Sequence, residues 1–284
     1  MTKLPEPGRT LVMGILNVTP DSFSDGGEFL QADAAVAHGL ALAAAGADLV
    51  DVGGESTRPG ALRASVEVEL DRVLPVVERL SAAGVAVSVD TMRAEVARAA
   101  VAAGAVLVND VSGGLADADM LPVVAELDVA YVAMHWRGHS DRMAQLASYT
   151  DVVAEVTAEL SDRLAEATAA GVRPDRVILD PGLGFAKTAA HNWELLRNLD
   201  QLARLGRPLL VGASRKRFLG ELLATGEGPR PVREREDAGV ALTALLAAAG
   251  VWGVRTHGVR AHADAIAVAL RLFGHPPTPP APGR

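Results

Sequence analysis

Short apolar runs recur along the chain, each followed by a longer Ala/Leu-rich stretch whose apolar positions fall three or four residues apart. The runs, read as strands, are Leu11–Leu16, Leu49–Val52, Val85–Val89, Val106–Val108, Ala130–Met134, Val177–Leu179, Pro208–Val211 and Gly253–Val254. Between them the spacing is helical, as at Val66, Leu70, Val73, Val77 and Leu80. Glycines at 46, 84, 104 and 171 close such stretches just before the next run, where a helix C-terminus favours a residue free to turn left-handed. Near-continuous apolar strands joined by helical crossovers predict a parallel sheet covered on both faces. Eight such units in 284 residues predict an α/β fold of one domain, a (β/α)8 TIM barrel, with an open doubly wound sheet as the alternative. The barrel is expected over residues 11–274, after a loose segment at 1–10. A tail at 275–284, with Pro at 276, 277, 279, 280 and 282, is expected to be disordered, since it suits neither helix nor sheet.

Charge narrows the partners. Lys and Arg number 27 against 35 Asp and Glu, a formal net charge of −8, so no basic face for nucleic acid or anionic membrane is expected. An anion would have to be held by a few placed cations. Cysteine is absent, which removes disulfides, thiolate metal sites and cysteine nucleophiles and fits a reducing compartment. Met1–Arg9 contains no apolar run of the signal-peptide kind. The longest nearly apolar stretch, Val240–Val254, is shorter than the roughly 20 residues of a membrane span and is broken by Thr243, Gly250 and Gly253. A cytoplasmic, soluble enzyme is the expectation.

In such a barrel the chemistry gathers where the strands end. After the first run comes Asn17-Val-Thr-Pro-Asp-Ser-Phe-Ser-Asp-Gly-Gly27, and the second leads into Asp51-Val-Gly-Gly-Glu-Ser-Thr-Arg-Pro-Gly60. The third ends at Asp90-Thr91, the fourth at Asn109-Asp110 and the fifth at Met134-His135. Asp180-Pro-Gly-Leu-Gly-Phe-Ala-Lys187, Gly212-Ala-Ser-Arg-Lys-Arg217 and Arg255-Thr-His257 complete the ring. Polar or Gly-rich residues at all eight ends, opposite short bland loops, mark an enzyme. Asp90, Asn109 and Asp180 together suit a flat heterocycle that offers N–H donors and a carbonyl; the alternative is that each merely forms an Asx turn. Ser214, Arg215 and Lys216, read as opening the helix after the seventh run, join Arg255 and His257 as a candidate phosphate site; a surface basic cluster is the alternative. Lys stands only at 3, 187 and 216, which singles out Lys216 for a task suited to a compact ammonium. The long first and second loops, carrying Phe23 and Arg58, read as lids or binding loops, or else as ordered surface loops. His135 and His139 have a metal-like spacing but lie in a glycine-containing loop without a zincin glutamate, so structural roles are preferred. A glycosidase pair at Asp90 and Asp180 is discounted because only 4% of residues are aromatic.

Asn17–Gly27, Gly53–Gly60, Ser88–Thr91, Asn109–Gly114, Asp180–Phe185, Gly212–Lys216 and Arg255–His257 resemble, in order, the segments of the dihydropteroate synthase family. The resemblance runs from about residue 11 to 273, and Met134-His-Trp-Arg137 resembles actinobacterial members. It implies condensation of 6-hydroxymethyl-7,8-dihydropterin pyrophosphate with 4-aminobenzoate to 7,8-dihydropteroate and pyrophosphate in folate synthesis. It further implies pterin contacts from Asp90, Asn109, Met134, Asp180, Gly212 and Lys216. Asn17, Arg255 and His257 would hold the pyrophosphate, with Mg2+ on Asn17 and phosphate oxygens. Aminobenzoate would contact Thr57, Arg58, Pro59, Phe185, Ser214 and Lys216, its carboxylate near the helix opening at Ser214. Phe23 and Asp25 would close over a pterin cation, and Asp90 and Lys216 would assist its formation. A homodimer through outer helices and competitive inhibition by sulfonamides follow from the same resemblance; the Ala-rich stretch Ala238–Ala249 suits such a face and an intramolecular core equally well. One departure stands out: the family usually reads His-Asp-Val where this chain has His257-Gly258-Val259, so His257 is expected to lack a carboxylate neighbour. The alternatives are a pterin-binding paralogue with little synthase activity and a pterin-binding methyl-transfer domain. A phosphate-binding aldolase is set aside because no lysine lies within a strand.

Overall fold

The computed structural model describes residues 4–19, 28–55, 64–139, 142–226 and 228–274. Its eight parallel strands are β1 (Leu11–Asn17), β2 (Leu49–Gly53), β3 (Val87–Asp90), β4 (Leu107–Asp110), β5 (Ala130–Met134), β6 (Val177–Asp180), β7 (Leu210–Val211) and β8 (Gly253–Thr256). They pair in the order β6-β5-β4-β3-β2-β1-β8-β7. A parallel bridge between Leu179 and Leu209 brings the two ends together, and the Leu179 N–H donates to the Pro208 carbonyl at 2.9 Å. The result is the (β/α)8 barrel, not the open sheet. The strands differ in detail from the apolar runs. β3 starts at Val87, β7 keeps two residues, and β8 continues to Thr256.

Ten helices wrap the barrel among the described residues: α1 (Glu28–Ala44), α2 (Val66–Ala82), α3 (Ala94–Ala102), α4 (Met120–Leu127), α5 (Val152–Ala169), α6 (Ala189–Arg197), α7 (Leu199–Ala203), α8 (Arg217–Leu222), α9 (Glu236–Ala248) and α10 (Val259–Phe273). On α2 the predicted stripe is buried at Val73, Val77 and Leu80, and Ser65 caps the helix by accepting the Val68 N–H. Gly84 and Gly104 end their helices at φ of +81° and +112°, a backbone that residues with a Cβ rarely adopt. Among the described residues, no helix is long and apolar enough to cross a membrane.

The barrel interior is layered by the two-residue period of its strands. At the bottom Leu11, Met13, Leu49, Ala86, Leu107, Val132, Ile178 and Leu210 form one apolar cluster, closed from below by Leu4 and Trp252. Thus Leu4, from the segment expected to be loose, packs on the core. Nearby, Arg9 ion-pairs with Asp48 at 2.8 Å and the Thr10 hydroxyl donates to the Val251 carbonyl at 2.7 Å. Two residues further along the same inward face, the series turns polar: Asp51, Ser88, Asn109, Asp180 and Arg255. The strands are therefore the wall of the site as well as its support. The Pro-rich tail at 275–284 lies outside the described residues.

Candidate active site

Asp51, Asp90, Asn109 and Asp180 are all buried, at 0, 8, 3 and 6% exposure. Charges so enclosed need partners. Arg255 supplies one: its Nε donates to Asp51 Oδ2 and its Nη2 to Asp90 Oδ2, both at 2.6 Å. Asn109 Nδ2 also donates to Asp51 Oδ2, at 2.9 Å. Arg255, assigned from sequence to an anion alone, is therefore also the counterion of the barrel floor. Two of its five N–H donors serve these carboxylates. Burial pushes the Asp90 carboxyl up to about 7, against the pull of Arg255 and with the help of Asp51. Asp51 was not singled out from the sequence because the run Leu49–Val52 reads as a strand. The signal was present, since two residues beyond Leu49 is again the interior face.

On the opposite wall, Asp180 Oδ1 accepts the Gly182 N–H at 2.7 Å, fixing the carboxylate at the end of β6. Gly182 has φ +65°, and a Cβ there would lie 2.3 Å from the His135 carbonyl oxygen, so only glycine fits. Met134 pairs in register with Asp180 and is buried beside it. Burial raises the Asp180 carboxyl, opposed chiefly by Lys216. Lys216 Nζ donates to the Leu183 carbonyl and lies 4.8 Å from the Phe185 ring centroid. Burial lowers the Lys216 ammonium to about 8, opposed by Asp180. Asp90, Asn109, Asp180, Lys216 and Arg255 thus converge at one barrel mouth, with Gly212 near Lys216 Nζ.

Lys187, noted in the sequence only for its rarity, holds the loop that carries Phe185. Its Nζ reaches His135 Nδ1 at 2.8 Å and the carbonyls of Gly182 and Phe185 at 3.1 Å each. Burial lowers His135 to about 4, so the ring is neutral near pH 7; Nδ1 accepts from Lys187 and the Nε2–H donates to Glu159 at 2.9 Å. His139 instead stacks edge-on against Trp136, with ring centroids 4.9 Å apart. Among the described residues no three His, Cys, Asp or Glu side chains are grouped to hold a metal.

The turn after β7 corrects one expectation. The helix does not open at Ser214: α8 starts at Arg217, with Lys216 as its N-cap. Arg215 has φ +59°, which cannot continue into a right-handed helix and costs on the order of 1–2 kcal/mol. Lys216 N–H closes a turn on the Ala213 carbonyl at 3.2 Å. Ser214 therefore faces β8 across the turn: its Oγ accepts the His257 N–H at 3.2 Å and lies 3.0 Å from His257 Nδ1. Asn17 ends β1, in register with Gly53. The volume above Gly258 is filled from elsewhere, by the carboxylate of Glu236 on α9. That carboxylate meets His262 and Arg215, and sequence reasoning did not single it out.

Phe23, Asp25, Thr57, Arg58 and Pro59 lie outside the described residues. The stems of the second loop are nevertheless tied together. Arg93 donates to Glu55 at 3.0 Å, to the Ala64 carbonyl and to Glu69, which also accepts the Thr91 hydroxyl at 2.6 Å. Glu69 is wholly buried on α2, a position its charge hid from the helical pattern.

A family model described as "Pterin binding enzyme" matches residues 13–257. A dihydropteroate synthase of Mycobacterium leprae is 58% identical over 259 residues, covering 90% of this chain and 91% of the relative. The structure of Xanthomonas albilineans dihydropteroate synthase with 4-aminobenzoic acid superposes with a TM-score of 0.86 at 48% identity, covering 94% of each chain. The same enzyme in complex with 7,8-dihydropteroate gives 0.83 at 46% identity, covering 94% of this chain and 95% of the other.

Proposed function

Since the chain belongs to the dihydropteroate synthases of the pterin-binding enzyme family, we propose that its buried polar tier binds the pterin and that the β7–β8 corner binds the pyrophosphate. The enzyme joins 6-hydroxymethyl-7,8-dihydropterin pyrophosphate to 4-aminobenzoate. The bond between the pterin methylene carbon and the pyrophosphate oxygen breaks, its electron pair leaving with pyrophosphate. The aminobenzoate nitrogen forms the new C–N bond and loses a proton. Neither a paralogue of little activity nor a methyl-transfer domain is favoured beside relatives of this identity and coverage.

The observation that carries the assignment of roles is the convergence of Asp90, Asn109 and Asp180 with Lys216 and Arg255. Asp180 presents an acceptor to the pterin 2-amino edge, with Asn109 beside it and Met134 and Gly212 lining the pocket. Asp90 accepts the pterin N8–H, an interaction that strengthens as positive charge develops on the ring. Lys216 bridges the pterin and the aminobenzoate ring, which packs by Phe185 and Ser214. Thr57, Arg58 and Pro59 complete the aminobenzoate pocket, and Phe23 and Asp25 shield the nascent cation from water. Arg255 and His257 hold the pyrophosphate. Asn17 offers a single amide oxygen, which fits Mg2+ only if substrate phosphate oxygens and water complete its shell. Bound there, the ion would neutralise leaving-group charge.

Inhibition tests the aminobenzoate pocket. A sulfonamide should raise the apparent KM for aminobenzoate and leave kcat unchanged in steady-state rates. Inhibition that persists at saturating aminobenzoate would remove the assignment. A cytoplasmic homodimer completes the proposal. Leu245 on α9 and Val268, Leu272 and Phe273 on α10 are 66, 64, 71 and 64% exposed, an apolar face of the kind a second copy covers. Sedimentation should then give twice the 29.4 kDa chain mass, and the chain mass alone would contradict it.

A further inference from the structure

We infer that Glu236 is a positioning residue for the reaction: from the space above Gly258 its carboxylate ties the turn carrying Ser214 and Lys216 to the helix that begins behind His257. The inference rests on the proposed pyrophosphate site and adds a residue to its support.

Gly258 is not required by its backbone, whose φ of −98° any residue can adopt. Space requires it. A Cβ there would lie 1.9 Å from Glu236 Oε1 and 2.7 Å from the carboxyl carbon, so a side chain at 258 and this placement of Glu236 exclude each other. The carboxylate is held from two sides, by His262 Nε2 at 3.2 Å and Arg215 Nε at 3.3 Å. His262 is itself fixed from behind, its Nδ1 2.7 Å from the Thr243 hydroxyl. Arg215 is the left-handed residue of the turn, and it is gripped twice. Glu236 takes its guanidinium, and the neighbouring Arg235 donates from Nη1 to its carbonyl at 3.0 Å. The start of α9 thereby clamps a strained residue lying between Ser214, which meets His257, and Lys216, which faces Asp180. Withdrawing the Glu236 carboxylate frees the Arg215 side chain and lets the turn relax, spreading Ser214 and His257 away from one bound geometry.

The test compares Glu236→Ala, Gly258→Ala and the double variant. It uses calorimetric binding of inorganic pyrophosphate and steady-state rates with both substrates. Glu236→Ala should weaken pyrophosphate about 10-fold and raise KM for the pterin pyrophosphate by a like factor, the loss of one charged hydrogen bond. KM for aminobenzoate, whose ring packs by Ser214 on the same turn, should rise with it. A purely structural role would lower the melting temperature and leave pyrophosphate affinity and both KM values in place. Gly258→Ala, which adds one methyl to unstrained backbone, should reproduce the loss by displacing the carboxylate, and the double variant should be no worse than either single one. If Glu236→Ala fails to fold, Gly258→Ala alone carries the comparison. Wild-type pyrophosphate affinity in either single variant, or losses that multiply in the double, would overturn the inference. An inactive wild-type enzyme that does not bind pyrophosphate would instead overturn the reading beneath it.

Discussion

Asp180→Asn should bind pterin at least about 100-fold more weakly than the wild type and lose a similar or larger factor in kcat/KM. The direction follows from the local geometry. One carboxylate oxygen is already committed to the Gly182 N–H at 2.7 Å, so in the variant the amide oxygen takes that bond. The amide nitrogen then faces the ligand, a donor set against the donor edge of the pterin. The charged hydrogen bond to the ligand, worth roughly 1.5–3 kcal/mol, is exchanged for a repulsive contact in a buried site. The fold should survive, because the Gly182 turn is kept. Equilibrium binding of a pterin monomer, followed by fluorescence, measures the effect; near-normal affinity would remove Asp180 from the pocket.

The second large effect is expected at Asp90, where Asn should lower kcat by about 100- to 1,000-fold with a smaller change in pterin affinity. A neutral amide still offers an acceptor to the ground-state ring but gives little to a developing cation. The pH profile supplies an independent signature. Asp90 works as a carboxylate, and burial holds it up to about 7, so kcat/KM should rise as pH increases through that value. Lys216 works as an ammonium held down to about 8, so activity should fall again above it. Wild-type enzyme should therefore give a narrow bell, and Asp90→Asn should lose the acid limb while keeping the basic one. Rates across about pH 5.5 to 9.5 decide the matter. A variant with an unchanged acid limb would show that another group titrates there.

Residue patterning made the barrel legible because most strands begin in apolar runs and helices such as α2 and α10 are amphipathic. The mouth residues followed from reading what comes after each run. What escaped was each charge hidden by a strong local pattern. Asp51 sits inside a strand whose neighbours are Val and Leu, and Glu69 lies on the buried stripe of α2. Both are tolerated only because Arg255 and Arg93 reach them from other elements, across long sequence separations that local patterning does not see. The supposed helix start at Ser214 failed for a different reason. Nothing in the residue type of Arg215 announces a positive φ, and the residues that meet it, Arg235 and Glu236, stand 20 and 21 positions further along the chain.

The most direct measurement is pyrophosphate release by the wild-type enzyme given dihydropterin pyrophosphate and Mg2+, with and without 4-aminobenzoate, while dihydropteroate is followed in parallel. Dihydropteroate and pyrophosphate appearing in equal amounts, dependent on aminobenzoate, is the predicted result. Tight pterin binding with no dihydropteroate formed would contradict it.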